Sequence, residues 1–216
     1  LHPPDHALES PVREGRGLLM GPRPAPEWQV TTWLNTPEPL SLARVRGRVV
    51  LLHAFQMLCP GCVARGLPQA LRVAELFADA PLAVIGLHTV FEHHEAMGIE
   101  SLRAFVHEYR IRFPVGIDLP GADGDPLPRT MRSYAMQGTP TTVLIDARGQ
   151  LRRQVFGVHD DLLLGAELGA LLIEAERSAE AESASSAGPG GSCADGRRAA
   201  RQEESSALLS GHHLFP

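Results

Sequence analysis

The chain contains no lysine: its 20 basic residues are all arginine. Schiff-base and lysine general-base chemistry are therefore excluded from its side chains. Cysteine is almost as sparse, with three in 216 residues, so no disulfide framework holds the fold together. Aromatic residues make up 5% and do not alternate with basic ones, no basic run occurs, and the net charge is only −5. Nucleic acid is accordingly not an expected partner. No apolar stretch reaches the roughly 18 residues of a membrane span, so no membrane partner is expected either. The N-terminal region lacks the apolar segment of a secretion signal. A cytoplasmic location follows as the expectation, with a periplasmic one open if the N-terminus is processed. The glycines at 188–191 follow no strand and open no helix, so they do not read as a phosphate loop.

What is present suffices for one core: 44% of the residues are hydrophobic. Residues 1–24 carry prolines and no periodicity and read as a disordered segment. Residues 25–177 read as one domain. Residues 178–216, rich in Ala, Ser and Gly, read as a disordered tail. Within the domain, Trp28 to Leu34 suits a short strand or hairpin, and Val49 to Phe55 is an unbroken apolar run of buried-strand length. A helix is expected over roughly 60–78. A second buried strand follows at Leu82 to His88, then a helix with Ile99, Leu102, Phe105, Val106 and Tyr109 in one stripe. Phe113 to Asp118 is a short strand and Thr130 to Ala135 a brief helix. Thr141 to Asp146 and Leu151 to Phe156 pair across a turn at 147–150. Asp160 or Asp161 caps a last helix with Leu164, Leu168, Leu171, Leu172 and Ala175 on one face. Such alternation predicts an α/β fold, a mixed sheet with helices on both faces.

Chemistry concentrates at Cys59-Pro60-Gly61-Cys62, between the first long strand and the first long helix. A helix N-terminus carries unsatisfied N–H groups and partial positive charge. Cysteines placed there have pKa values lowered from about 8.5 to about 3.5–7.5 in redox sites. The second cysteine lies one helical turn on and can attack a mixed disulfide. The spacing therefore points to a two-thiol redox site.

The CPGC at the strand–helix junction, together with Gly138-Thr139-Pro140 before a later strand, resembles the thioredoxin fold. Within that fold it is similar to redoxins: TlpA-like thiol–disulfide reductases and AhpC/TSA-type proteins. Ala25-Pro26-Glu27-Trp28 and the following LSLARVRGRVVLLHAF are similar to that superfamily's N-terminal extension. The resemblance implies a three-layer thioredoxin-like sandwich over roughly residues 25–175. It implies Cys59 as the exposed nucleophile, Cys62 as the resolving thiol and a cis Pro140. Thr139 then presents its backbone to a docked substrate. Two positions depart from the pattern. Leu58 stands where a tryptophan commonly precedes the first cysteine. His53 stands where a buried acid often helps deprotonate the second thiol; it is either a proton acceptor for Cys62 or a core histidine satisfied by the backbone.

The sequence reading is thus a monomeric thiol–disulfide oxidoreductase acting on protein or small-thiol disulfides, regenerated by an external reductant, with no cofactor and no metal. Two alternatives accompany it. One is a thiol-dependent peroxidase, although P-x-x-x-T-x-x-C fits neither Cys59, preceded by Gln56 and Leu52, nor Cys62, preceded by Cys59 and Phe55. The other is a metal-binding or redox-sensing module using His88, His93 and His94 near Glu92 and Glu95, a loop otherwise read as polar surface. Arg129 and Arg132 are either thiolate partners or surface charges. Cys193 is read as a passive exposed thiol.

Overall fold

The structure is a computed structural model, and it describes residue 19, residues 21–122 and residues 125–186. The strands are β1 (Arg23–Pro24), β2 (Val30–Leu34), β3 (Val49–Phe55), β4 (Leu82–His88), β5 (Val115–Asp118), β6 (Thr141–Ile145) and β7 (Gln150–Phe156). The helices are α1 (Leu67–Leu76), led by a π-helical turn at Cys62–Gly66, then α2 (Ile99–Glu108), α3 (Arg129–Ser133) and α4 (Asp161–Ser186). The strands form one sheet in the order β1-β7-β6-β3-β4-β5-β2. β3, β4 and β5 run parallel to one another, while β6, β7, β1 and β2 pair antiparallel with their neighbours.

The unbroken apolar runs of β3 and β4 exist because both sheet faces are covered. Val49, Leu51 and Phe55 point into a core shared with α1, α2 and α4. Val50, Leu52 and Ala54 point the other way, against Trp28, Leu42, Val45, Met131 and Tyr134. This is the expected three-layer arrangement. The stripe of α4 is buried as its spacing predicts, and Asp160 accepts hydrogen bonds from the N–H groups of Leu162 (3.0 Å) and Leu163 (3.1 Å) as its cap.

Three details differ from the sequence reading. The helix expected over 60–78 is not uniform: Leu67 N–H bonds back to Cys62 O, a wide turn of five residues. Pro68 supplies the cause, since it has no N–H to give Ala64 O and its ring crowds that carbonyl. Second, the first segment is not wholly without structure, because Arg23 and Pro24 pair with Leu151 and Gln150. Their side chains are exposed, so no hydrophobic pattern announces them. Third, α4 runs to Ser186, past the boundary expected at 177. The added residues are mainly Ala, Glu and Ser, and the strong helix propensity of Ala and Glu extends the helix without a core face.

β1 and β2 are consecutive in the chain yet lie on opposite margins of the sheet. Residues 25–29 join them as a strap over the α3 face. Tyr134 donates its hydroxyl to Pro26 O (2.7 Å), Leu42 N–H donates to Glu27 (2.9 Å), and Gln29 N–H donates to the Thr130 hydroxyl (2.9 Å). Among the described residues no helix is long and apolar enough to cross a membrane.

Candidate active site

β3 ends at Phe55, and a turn over Gln56, Met57 and Leu58 delivers Cys59 to the start of the helix. Pro60 and Gly61 already have helical backbone. Proline suits that first position because its missing N–H would have no helical partner there. Cys59 therefore occupies the cap position. Its Sγ accepts a hydrogen bond from Cys62 N–H at 3.3 Å, as a capping oxygen would. Its thiol also lies 3.5 Å from Thr139 O, the acceptor offered across the groove.

The two free thiols differ in access: Cys59 is half-buried and Cys62 is buried. The Cys62 thiol is pushed up to about 12, chiefly by burial and next by its hydrogen bond with Cys59, while the Gln56 backbone and Thr139 side chain lower it. The dithiol is thus split into an accessible sulfur and one kept protonated behind it.

The Thr139-Pro140 peptide is cis, as the resemblance implied. A β-carbon at Gly61 would lie 3.3 Å from Pro140 Cδ, so the proline ring packs directly on the CPGC turn. Gly66 faces the same neighbours more tightly: a β-carbon there would sit 2.5 Å from His53 Cε1 and 3.1 Å from Pro140 Cβ. His53 thus lies behind the helix, against the residue one turn beyond Cys62. Its ring is buried and stacked on Phe55, with centroids 5.9 Å apart and planes 3° off parallel. Its Nε2 has no hydrogen-bond partner, which departs from a core histidine satisfied by backbone. Burial holds its pKa down to about 4, so the ring is neutral at ordinary pH.

A groove of about 550 Å³ opens beside Cys59, with Leu58, Pro60, Phe91, Gly138, Thr139 and Phe156 among its walls. Two buried polar residues that sequence reasoning missed hold these walls. Gln56 accepts Cys59 N–H through its carbonyl (3.2 Å) and Phe91 N–H through its side chain (3.3 Å). Asp118 accepts from the Thr89 hydroxyl (2.9 Å) and from the N–H groups of Thr130 (2.8 Å) and Met131 (3.0 Å), joining the loop after β4 to the start of α3. Burial raises the Asp118 carboxyl against the lowering effect of these bonds. The only sequence signal for either was a polar residue at the end of an apolar strand.

Of the remaining candidates only Glu92 and His93 reach the wall of the groove that holds Cys59. His88 is buried, with neither ring nitrogen hydrogen-bonded and a pKa held down to about 4 by burial, whereas His93 and His94 are exposed. Among the described residues no group of three or more His, Cys, Asp or Glu side chains is placed to hold a metal ion. Arg132 pairs with Asp125, and Arg129 donates to Pro120 O at 3.3 Å. Cys193 lies outside the described residues.

Comparison with known proteins adds to this geometry. The AhpC/TSA family model matches residues 22–154. Protein DipZ of Mycobacterium bovis is 32% identical over 164 residues, which cover 72% of this chain and 21% of DipZ. The chain thus spans about a fifth of the length of that relative. A crystal structure of a thioredoxin-like superfamily protein is 55% identical, with a TM-score of 0.67 over 69% of this chain and 96% of the other. A thiol-disulfide isomerase from Corynebacterium glutamicum is 46% identical, with a TM-score of 0.66 and the same coverage of both chains.

Proposed function

The chain belongs to the AhpC/TSA family, and from that premise we propose that it is a thiol–disulfide oxidoreductase using Cys59 as nucleophile and Cys62 as resolving thiol. The observation that carries this reading is the asymmetry of the pair: an accessible Cys59 sulfur capping the helix, and a buried, protonated Cys62 held behind it. The 46% identity to a protein described as a thiol-disulfide isomerase supports disulfide exchange as the reaction.

In the first step the Cys59 thiolate attacks one sulfur of a substrate disulfide. A Cys59–substrate disulfide forms, and the other substrate sulfur leaves as a thiolate that takes up a proton. Cys59 raises the Cys62 thiol through their hydrogen bond and through charge, so bonding Cys59 to substrate removes two of the causes that keep Cys62 protonated. Cys62 then gives up its proton to the departing substrate sulfur, since burial disfavours the charged form of His53, and attacks the Cys59 sulfur. The second substrate thiolate leaves, two electrons have passed to the substrate, and a Cys59–Cys62 disulfide remains. An external dithiol must reduce it. Pro140 and the Thr139 backbone form the wall on which an extended substrate strand docks.

The competing peroxidase reading has Cys59 oxidised by peroxide to a sulfenic acid, which Cys62 condenses with to give the disulfide and water. Stopped-flow disulfide reduction and peroxide consumption, measured on one preparation, separate the two. Oxidoreductase activity requires the first to dominate. Iodoacetamide should label Cys59 before Cys62, and Cys62→Ser should accumulate mixed disulfides through Cys59. Labelling of Cys62 first reverses the assignment of roles.

A further inference from the structure

We propose that the groove beside Cys59 selects peptide disulfides that carry an apolar residue next to the cysteine and an arginine or lysine within reach of Glu92. This rests on the oxidoreductase reading above and adds a substrate class to it.

The apolar half of the inference comes from the walls. Leu58 is 56% exposed and Phe156 54% exposed, and both line the groove that holds Cys59. Single exposed apolar side chains are ordinary. Here two flank the nucleophile, with Phe91 beside them, and a β-carbon at Gly138 would lie 2.8 Å from the Phe156 ring. The absence of a side chain at 138 lets that ring lie against the backbone just before Thr139.

The charged half comes from Glu92. It is the groove's one carboxylate; the adjacent His93 is the groove's one basic side chain, and no arginine lines the groove. Among the described residues no ion pair engages it. Its position is tied to the nucleophile through one buried residue. Gln56 donates its side-chain amide to Glu92 at 3.4 Å while its own carbonyl accepts Cys59 N–H at 3.2 Å. The loop that carries Glu92 is anchored at its start, where Thr89 N–H donates to Phe55 O (3.1 Å) and the Thr89 hydroxyl to Asp118 (2.9 Å). A carboxylate held beside the nucleophile with no ion-pair partner attracts a cationic substrate and repels an anionic one. Electrostatic complementarity of this kind sets partner choice more than raw affinity.

The test uses three cystine-containing peptides with leucine beside the cysteine, differing only in an Arg, Gln or Glu two residues further on. With wild-type protein, kcat/KM should follow Arg > Gln > Glu, with about three- to tenfold between the extremes, as expected for one partly exposed charge contact made attractive or repulsive. Glu92→Gln should flatten the order, Glu92→Arg should reverse it, and 0.5 M salt should compress it through screening. Equal rates for the three peptides with wild-type protein, or an unchanged order in Glu92→Gln, overturn the inference while leaving the oxidoreductase reading intact. No reduction of any peptide, the Gln one included, overturns both.

Discussion

Replacing Gly66 with alanine pits two effects of known sign against each other. Within a helix, Gly→Ala ordinarily stabilises by roughly 0.5–1 kcal/mol, because glycine loses more backbone entropy on folding. At Gly66 the new β-carbon would sit 2.5 Å from His53 Cε1 and 3.1 Å from both His53 Nε2 and Pro140 Cβ. The first distance is well inside van der Waals contact. The His53 ring has little room to retreat, being buried and stacked on Phe55. Overpacking a filled core costs about 1–3 kcal/mol. The upper part of that range applies, so Gly66→Ala should lose about 1–2.5 kcal/mol net, or about 2–10 °C in Tm for a domain of this size. Urea and thermal unfolding followed by circular dichroism measure it directly. Gly165→Ala is the control, since nothing lies within 4 Å of its β-carbon in α4, and it should gain stability. Disulfide reduction by Gly66→Ala should also fall, because the displaced groups are His53 and Pro140. A Gly66→Ala protein as stable as the wild type would refute the packing argument.

Burial holds His53 and His88 down to about 4, whereas in the unfolded chain both titrate near the ordinary value of 6.5. Their folded pKa values are depressed, so the unfolded state binds the extra protons. Stability should be complete above about pH 6.5, fall by about 1.4 kcal/mol per pH unit per histidine as pH drops, and level off near pH 4. Urea unfolding at pH 7.5, 6 and 5 checks this, and His88→Leu should remove one histidine's share of the slope; an unaltered slope in that variant contradicts it. Asp118→Ala should cost about 2–4 kcal/mol, because the Thr89 hydroxyl and two α3 N–H groups lose their buried acceptor. A loss below about 1 kcal/mol in urea would show that those donors find other acceptors.

The parts of this fold legible in the sequence are those fixed by local chemistry or by burial on both faces. β3 and β4 have the expected bounds because every position in them is buried. α4 begins where expected because an aspartate caps an apolar stripe. The CPGC turn is legible because a proline and two cysteines at a strand–helix junction leave few alternatives. What escaped depends on partners remote in sequence or on the main chain alone. Gln56 is a lone amide until the fold brings Phe91 and Glu92 to it. Asp118 looks like a strand-ending loop residue until α3 arrives with its unpaired N–H groups. The wide turn at Cys62–Gly66 is signalled by Pro68, but its direction is set by His53 and Pro140, which leave no room for a side chain at 66. His53 was visible as a position of interest, yet the lack of a partner at its Nε2 is a property of the packed core.

The strap at residues 25–29 makes the two margins of the sheet a single mechanical unit. β1 covers the outer side of β7 and β2 that of β5, and both hang on the same short piece of chain. One backbone cut between Ala25 and Gln29 would unbuckle both margins together. The rows of N–H and C=O groups along Gln150–Leu151 and Val115–Asp118 would then be bared, and open strand edges are templates for pairing with other molecules. The CPGC turn lies away from both margins, at the end of the central β3. A nicked molecule could keep its thiol chemistry while acquiring two adhesive sides, so proteolysis would register first as self-association and only later as lost activity.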